Sequence, residues 1–501
     1  MKFSKTYKLP DLFTKQNAAE ILSDEDRDAI AKKVVEGYKV DEESRSSWLK
    51  KMKDAIKLAL QVKEHKTEPW PGCSNVKFPL LTTAALQFQS RAYPALVTKP
   101  DLVNCRVIAD DPDGSLTAQA ERKATFMSYQ LLEEDENWEE DTDRMLLQLP
   151  IVGCMFRKTY FDPLTAKNCS ELVLPDDFVV DYYTTSLSSS SRYTHILHPT
   201  KDDIEGYKLA EYWLDVELPE VSHDDDTLKS ESLQDRGFEA PADSNYQQSS
   251  RKVLEQYCRF DLDDDGYSEP YIVTVDLESE KMLRFVPNFT PEHIVHTNQA
   301  AINDLKNQML ALVKMPLQGQ TTVQQMEDKV TRQGFLRAMA GQLAELAKQG
   351  KIISIEPIQY FTKYPFIPSP DGGFYDIGFG ILLAPINDAV DTLINQMIDA
   401  GTLGLSNVGF LASNARVRGG NLQFRPFELM RVEVPAGMLK DAILPLEVNP
   451  PPPILFQLLE MLIGEARQLS SATEVMTGQL PGQNTKATVA TQALDQGMKV
   501  F

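Results

Sequence analysis

Leu393-Ile394-Asn395-Gln396-Met397-Ile398-Asp399-Ala400-Gly401-Thr402-Leu403 closes a helical pattern. Its apolar residues Ile386, Ala389, Val390, Leu393, Ile394, Met397 and Ile398 recur at three and four, the spacing of one helix face. Asn387, Asp388, Asp391 and Asn395 fall on the opposite face. The pattern begins after Gly378 and Gly380 and ends near Gly401, which at about 20 residues makes a rod of roughly 30 Å. A second rod starts behind Pro450-Pro451-Pro452-Pro453, an extended run that cannot be helix interior. It carries Leu455, Leu458, Leu459, Leu462, Ala466, Leu469 and Ala472. Between the rods, Val408-Gly409-Phe410-Leu411 and Phe427-Glu428-Leu429-Met430-Arg431-Val432-Glu433-Val434 read as short strands separated by Gly419-Gly420. Beyond them, Thr477-Gly478-Gln479-Leu480-Pro481-Gly482-Gln483-Asn484-Thr485 is a loop with no reactive group. Two struts, a strand-rich tip and a loop are expected; a plain helix, hairpin, helix core has the same signature.

With 501 residues the chain is long enough for roughly two or three domains. Its 42% hydrophobic and 25% charged residues are the proportions of a folded soluble protein. No apolar run approaches the roughly 20 residues that span a bilayer. Met1-Lys2-Phe3-Ser4-Lys5 lacks the apolar core of a signal peptide, so the reading is intracellular. Cys73, Cys105, Cys154, Cys169 and Cys258 are odd in number and form no CxxC pair, so reduced, buried thiols are expected. A net charge of −22 argues against a general nucleic-acid binder, which needs clustered Lys and Arg, but not against a protein that DNA passes without sticking.

Upstream the chain reads as mixed α+β. Asp24 to Tyr38, capped by Ser23, and Glu42 to Val62, entered at Asp41, suit two helices. Trp70-Pro71-Gly72 breaks the pattern, Val76-Lys77-Phe78-Pro79 is extended, and Leu81 to Tyr93 is helical again. Helical spacing runs from Ala118 to about Gln148, with the acidic run Glu133 to Asp141 as its solvated face. Cys154 to Phe161, Leu254 to Phe260 and Pro270 to Val275 read as strands. A mobile surface loop is expected at about 217–251, and a helical stretch at about 290–350.

Chemical constellations are few. Asp261-Leu262-Asp263-Asp264-Asp265-Gly266 places acids first, third and fifth and Gly sixth, the opening of a calcium loop. Asp261, Asp263 and Asp265, with Glu269 as a fourth, are the candidate cation ligands. Ile272 stands where an EF-hand carries its bidentate Glu, and an Asp/Gly turn between two strands explains the same run. No other cofactor is indicated. His195 and His198, like His293 and His296, stand three apart, as two imidazoles on one helix face would, but neither pair has a third ligand nearby. The glycines of Asp371 to Gly380 fit no phosphate-cradling spacing, the loop at Gly478 to Lys486 lacks a P-loop ending, and no nucleophile signature appears. The chain is read as non-enzymatic.

Several separate stretches resemble the portal proteins of tailed bacteriophages. They are Trp70-Pro71-Gly72-Cys73-Ser74-Asn75-Val76-Lys77-Phe78-Pro79-Leu80-Leu81-Thr82-Thr83-Ala84-Ala85, Tyr360-Phe361-Thr362-Lys363-Tyr364-Pro365-Phe366-Ile367-Pro368, Leu393 to Leu403, and the loop after Met476. The resemblance implies a head-to-tail connector, a homo-oligomeric ring of about twelve subunits at one capsid vertex. Double-stranded DNA would pass it in packaging and ejection without sequence-specific contact. Terminase packaging motor, capsid protein and tail adaptor would be its partners, with no membrane. The location would be the virion, after assembly in the host cytoplasm.

Carried over by motif, residues 1–378 would form the wing, with 290–350 an elaboration of it. Residues 379–403 would be the first stem helix, 404–449 the clip, 450–476 the second stem helix, 477–485 the tunnel loop, and 486–501 the start of a helix leading to wing or crown. Portal chains usually continue into a crown, and the helix still running at Phe501 is expected to lead towards one. Gly478, Gln479, Gln483, Asn484 and Thr485 would line the channel with uncharged groups, Lys486 being the nearest cation. Clustered arginines there would add salt-dependent friction on DNA. Arg416, Arg418 and Arg425 would meet acidic partners from the clip. The competing readings are another ring-forming virion adaptor and a metal-dependent nuclease using Asp261 to Asp265.

Overall fold

A computed structural model of the chain describes residues 3–63, 72–108, 110–111, 113–162, 166–219, 251–314, 332–343, 352–405, 409–411, 416–417, 432–433, 443–445 and 451–470. It is mixed α+β. The helices are α1 (Leu9–Leu12), α2 (Asp24–Ala59), α3 (Leu80–Leu96), α4 (Ser115–Tyr129), α5 (Trp138–Val152), α6 (Lys201–Leu209), α7 (Gln299–Lys314), α8 (332–343), α9 (Phe379–Leu405) and α10 (Ile454–Leu469).

A five-stranded antiparallel sheet has the order β3-β4-β5-β6-β7, formed by Phe178–Val180, Tyr193–Leu197, Val253–Phe260, Glu269–Asp276 and Met282–Pro287. A second antiparallel sheet sets β1 (Cys154–Asp162) between β2 (Lys167–Val173) and β10 (Phe361–Pro365). The strands expected at Cys154, Leu254 and Pro270 are all present. Short pairs join β8 (Ile294–His296) to β9 (Ile352–Ile355), β11 (Gly409–Leu411) to β14 (Ile443–Pro445), and β12 (Arg416–Val417) to β13 (Val432–Glu433).

Helix α2 is one rod of 36 residues, about 54 Å long, where the sequence suggested two helices meeting at Asp41. Its start is as expected: the Ser23 hydroxyl accepts the Asp26 amide. Asp41 does not cap a second helix, because Arg192 donates Nε and Nη2 to its two carboxylate oxygens, each at 2.7 Å, and holds it inside the rod. Gly37 leaves the room for that guanidinium, since a Cβ there would lie 3.0 Å from the Arg192 Nε. The first half of α2 buries Ile30, Ala31, Val34 and Val35 against Leu254, Val273 and Val275 of the five-stranded sheet. Its second half sends Trp48 and Met52 into an aromatic cluster of Phe156, Phe178, Phe361 and Tyr375. One helix thus threads both cores.

Elsewhere local patterns were overridden. The acidic run 133–141 does not ride on one helix: a π-turn at Gln130–Glu134 follows α4, and α5 restarts at Trp138. Glu139 accepts from Lys99 at 2.6 Å and from the Tyr93 hydroxyl rather than facing water alone. In the stretch expected to be helical from 290, Ile294–His296 is instead a strand paired with β9. The five cysteines are free thiols, but Cys105 and Cys169 are only half-buried. Residues 220–250, most of the expected surface loop, lie outside the described residues.

Candidate functional site

The polar face of α9 is not a wetted surface. Asn387, Asp391 and Asn395 are buried, and with Asp399 they recur every fourth residue along one stripe. The extended segment before Pro79 lies along that stripe and uses it as a partner for its own backbone. Asn395 Oδ1 accepts the Ser74 hydroxyl and the Val76 amide, each at 2.7 Å, and its Nδ2 donates to the Val76 carbonyl at 3.0 Å. Asp399 accepts the Ser74 amide and Asp391 the Phe78 amide, both at 2.7 Å. Lys77 Nζ stands 3.6 Å from the second oxygen of Asp391, an ion pair rather than a hydrogen bond. Burial pushes the Asp391 carboxyl up, against the pull of the Phe78 amide and Lys77. The sequence alone did not join these two stretches; the signal was a polar residue at every helical turn matched by an extended segment lacking strand partners.

The foot of α9 is fixed by a close backbone crossing. A Cβ on Gly378 would lie 2.5 Å from the Ile151 carbonyl oxygen and 2.7 Å from the Gly153 amide nitrogen. One on Gly153, whose φ of +104° already favours glycine, would lie 2.5 Å from the Asp376 carbonyl oxygen. Gly380 abuts Ala55 and Ile151 in the same way. These glycines serve a helix crossing rather than a loop. Above them Phe379 and Leu383 of α9, Leu80, Leu81 and Ala84 of α3, and Ala466 of α10 form one apolar cluster.

Helix α10 is apolar on more than the face that packs. Ala466 is its buried residue, while Ile454, Phe456, Leu458, Met461 and Leu469 are exposed, Ile454 to 66% and Met461 to 57%. Leu382 and Ile398 on α9 are likewise exposed. A helix apolar on two sides and covered on one presents a surface suited to a further protein contact. No helix among the described residues is long and apolar enough to cross a membrane.

The acidic loop, residues 261–268, connects β5 to β6, with Phe260 opposite Glu269. One carboxylate oxygen from each of Asp261, Asp263 and Asp265 comes within 4.8 Å of the others. Burial raises the Asp263 carboxyl, with Asp265 adding to the shift. Burial also pushes Glu269 up to about 8, and the charges of Asp263, Asp265 and Asp261 work in the same direction.

Other sequence candidates disperse. His195 ends inside the core at 3.4 Å from Glu255, which also takes Lys158 at 2.6 Å. Burial alone would raise Glu255, but Lys158 and His195 hold it well below the carboxylate range. His198 pairs with Asp177 at 3.0 Å, and His293 and His296 sit in a 3-10 turn and strand β8. Neither histidine pair shares a helix face. Arg416 lies opposite Glu433 in the β12–β13 pair. Arg418, Arg425, Gly478, Gln479, Gln483, Asn484, Thr485 and Lys486 lie outside the described residues. In comparisons with known proteins, no protein-family model matches the chain and no curated protein is significantly similar to it.

Proposed function

We propose that the chain is a portal protein, a non-enzymatic ring at one vertex of a tailed-phage capsid through which DNA is packaged and ejected. The observation that carries this reading is the pair α9 and α10: two helices anchored at one end in a common apolar cluster, with apolar side chains left exposed along their length. Head-to-tail contacts between copies that close by rotation would cover those side chains. The motifs quoted from the sequence supply the ring's class, its expected size of about twelve copies, and its partners: packaging motor, capsid protein and tail adaptor. In this reading α9 and α10 are stem helices, Arg416, Arg418 and Arg425 belong to the clip, and Gly478 to Lys486 forms the tunnel loop. The acidic net charge of −22 suits a conduit, since a wall that does not neutralise phosphates does not retain DNA.

Native mass spectrometry with negative-stain imaging tests the proposal. Annular assemblies are expected, and the Ile454→Glu, Met461→Glu double variant is expected to shift the chain towards monomer. A wild-type chain that stays monomeric at every concentration refutes the reading. Shortening Gly478 to Thr485 is expected to spare assembly and impair packaging; unchanged packaging would remove the loop from the channel. Magnesium-dependent DNA cleavage that disappears with Asp263→Ala would replace the conduit with a nuclease.

A further inference from the structure

We propose that the groove between the end of α2 and the foot of α9 receives the exposed stripe of α10 from a second copy of the chain. The pairing rests on the ring reading above and names the two faces that meet. The groove measures about 530 Å³. Ala55 and Leu58 of α2, Val62 just beyond it, and Ile381 and Ala384 of α9 supply its apolar lining. Lys51, Lys57 and Lys77 line it as well, together with Asp54 and Asp388. This neighbourhood is basic in an acidic protein: residues 50–63 hold five lysines and one acid, in a chain of net charge −22. An apolar groove bordered by lysines fits a partner that is apolar and carries a carboxylate.

Helix α10 supplies that complement. Ile454, Leu458, Met461, Glu465 and Leu469 follow one another at four, three, four and four residues, which is one stripe of a helix, and all five are exposed. Glu465 is the single charge on the stripe. Groove and stripe lie on different sides of the molecule. Ile381, Ala384, Pro385 and Asp388 face the groove from α9, whereas Phe379, Leu383 and Ile386, which share an apolar cluster with Ala466 of α10, lie about half a turn round the same helix. The α10 of one copy therefore sits across α9 from that copy's groove and is free to enter the groove of the next. Two unlike surfaces on opposite sides are what a head-to-tail contact requires, since a two-fold dimer would match one patch with itself. A partner recognised by charge alone would leave the apolar lining uncovered.

Cross-linking of the full chain with a short bismaleimide tests the pairing, beside native mass spectra of the same samples. Asp388→Cys together with Met461→Cys should give a ladder of covalent oligomers, and the two single variants mixed should give a covalent dimer that neither gives alone. Both positions are exposed, so the substitutions spare the fold. Phe456→Cys, exposed on the side of α10 away from the stripe, replaces Met461→Cys as the control and should give no ladder. Glu465→Lys should weaken association at least about tenfold by setting like charges against each other, and Lys51→Glu with Lys57→Glu in that background should restore it. Wild-type rings with no ladder from Asp388→Cys and Met461→Cys, or a Glu465→Lys variant that associates like wild type, overturn the pairing and leave the ring standing. A wild-type chain that is monomeric at every concentration overturns both.

Discussion

Replacing Asn395 by Ala should release the segment that runs along α9. The side chain is buried and makes three hydrogen bonds, two of them to the backbone of Val76 and one to the Ser74 hydroxyl. At about 1 kcal/mol net for each bond, their loss costs about 2–4 kcal/mol, the upper end applying if the Val76 amide and carbonyl stay buried without partners. If residues 72–79 instead peel away, water satisfies those groups and the cost moves to the lower end. Hydrogen exchange resolved at single amides separates the outcomes. Val76 and Phe78 should exchange roughly 30- to 700-fold faster, the equivalent of that range at 1.4 kcal/mol per decade. Amides in β5 and β6 should keep their protection. Asn395→Asp retains the acceptor for Ser74 and Val76 but loses the donor to the Val76 carbonyl, so an intermediate effect is expected. The exposed neighbour Gln396, changed to Ala, is the control. Unaltered exchange at Val76 in Asn395→Ala would refute the reasoning, because among the described residues Asn395 is the side chain that pairs with both of those backbone groups.

Three further outcomes follow from the same geometry. Gly378→Ala should cost about 1–3 kcal/mol or more, because its Cβ meets backbone atoms at 2.5 and 2.7 Å that cannot swing aside; a urea midpoint equal to wild type would show that the crossing yields. Arg192→Ala should cost about 3–5 kcal/mol by leaving the buried Asp41 carboxylate unpaired, and Asp41→Asn in that background should restore part of the loss in denaturation midpoint. Asp26 is held well below its ordinary value of 3.8: burial opposes this, but hydrogen bonds from Ser4, Tyr7 and Ser23 prevail. A depressed carboxyl contributes stability above its unfolded pKa and loses it as pH falls towards the folded one. Wild type should therefore exceed Asp26→Asn in stability at pH 7, and the gap should close progressively below about pH 4; a gap independent of pH in urea titrations would refute the assignment.

What was legible in the sequence was local. The apolar spacing of Ile386 to Ile398 gave a helix because helical period is a local property, although of those apolar residues only Val390 is fully buried, and Ser23 gave a cap because its partner Asp26 is three residues away. The Asp/Gly run gave both its turn and its gathered carboxylates, since each contact there spans at most five residues. The misread or missed features depend on partners far along the chain. Asp41 suggested a helix start, but Arg192, 151 residues on, keeps the rod continuous. Asn395 could be placed only on the face opposite the apolar one, because its partner Val76 is 319 residues away. Gly378 and Gly380 marked the start of the rod in sequence, and only the crossing by Ile151 and Gly153 shows what their missing side chains are for. Glu269 carried no sequence signal of burial, because an acid at the start of a strand is normally wet.

The clasp on α9 has a consequence for assembly that packing alone would not provide. Apolar side chains on a helix tolerate rotation about its axis, because one Leu substitutes for another against a greasy neighbour. The hydrogen bonds that Asp391, Asn395 and Asp399 accept from fixed amides at 2.7 Å do not. They set the rotation of α9, while the glycine crossing at its foot sets where it leaves the core, so Leu382 and Ile398 face outward at fixed positions. In the proposed ring that matters because each copy meets the next through the same two surfaces, and an angular error in one contact is repeated at every other. A ring closes only if those errors sum to nothing; otherwise the same contacts give an open helical array. Asn395→Ala should thus broaden the distribution of ring sizes in native mass spectra before it prevents association, because the apolar contact surface survives while its orientation is no longer fixed. Rings of unchanged, single stoichiometry in that variant would show that the clasp serves stability alone.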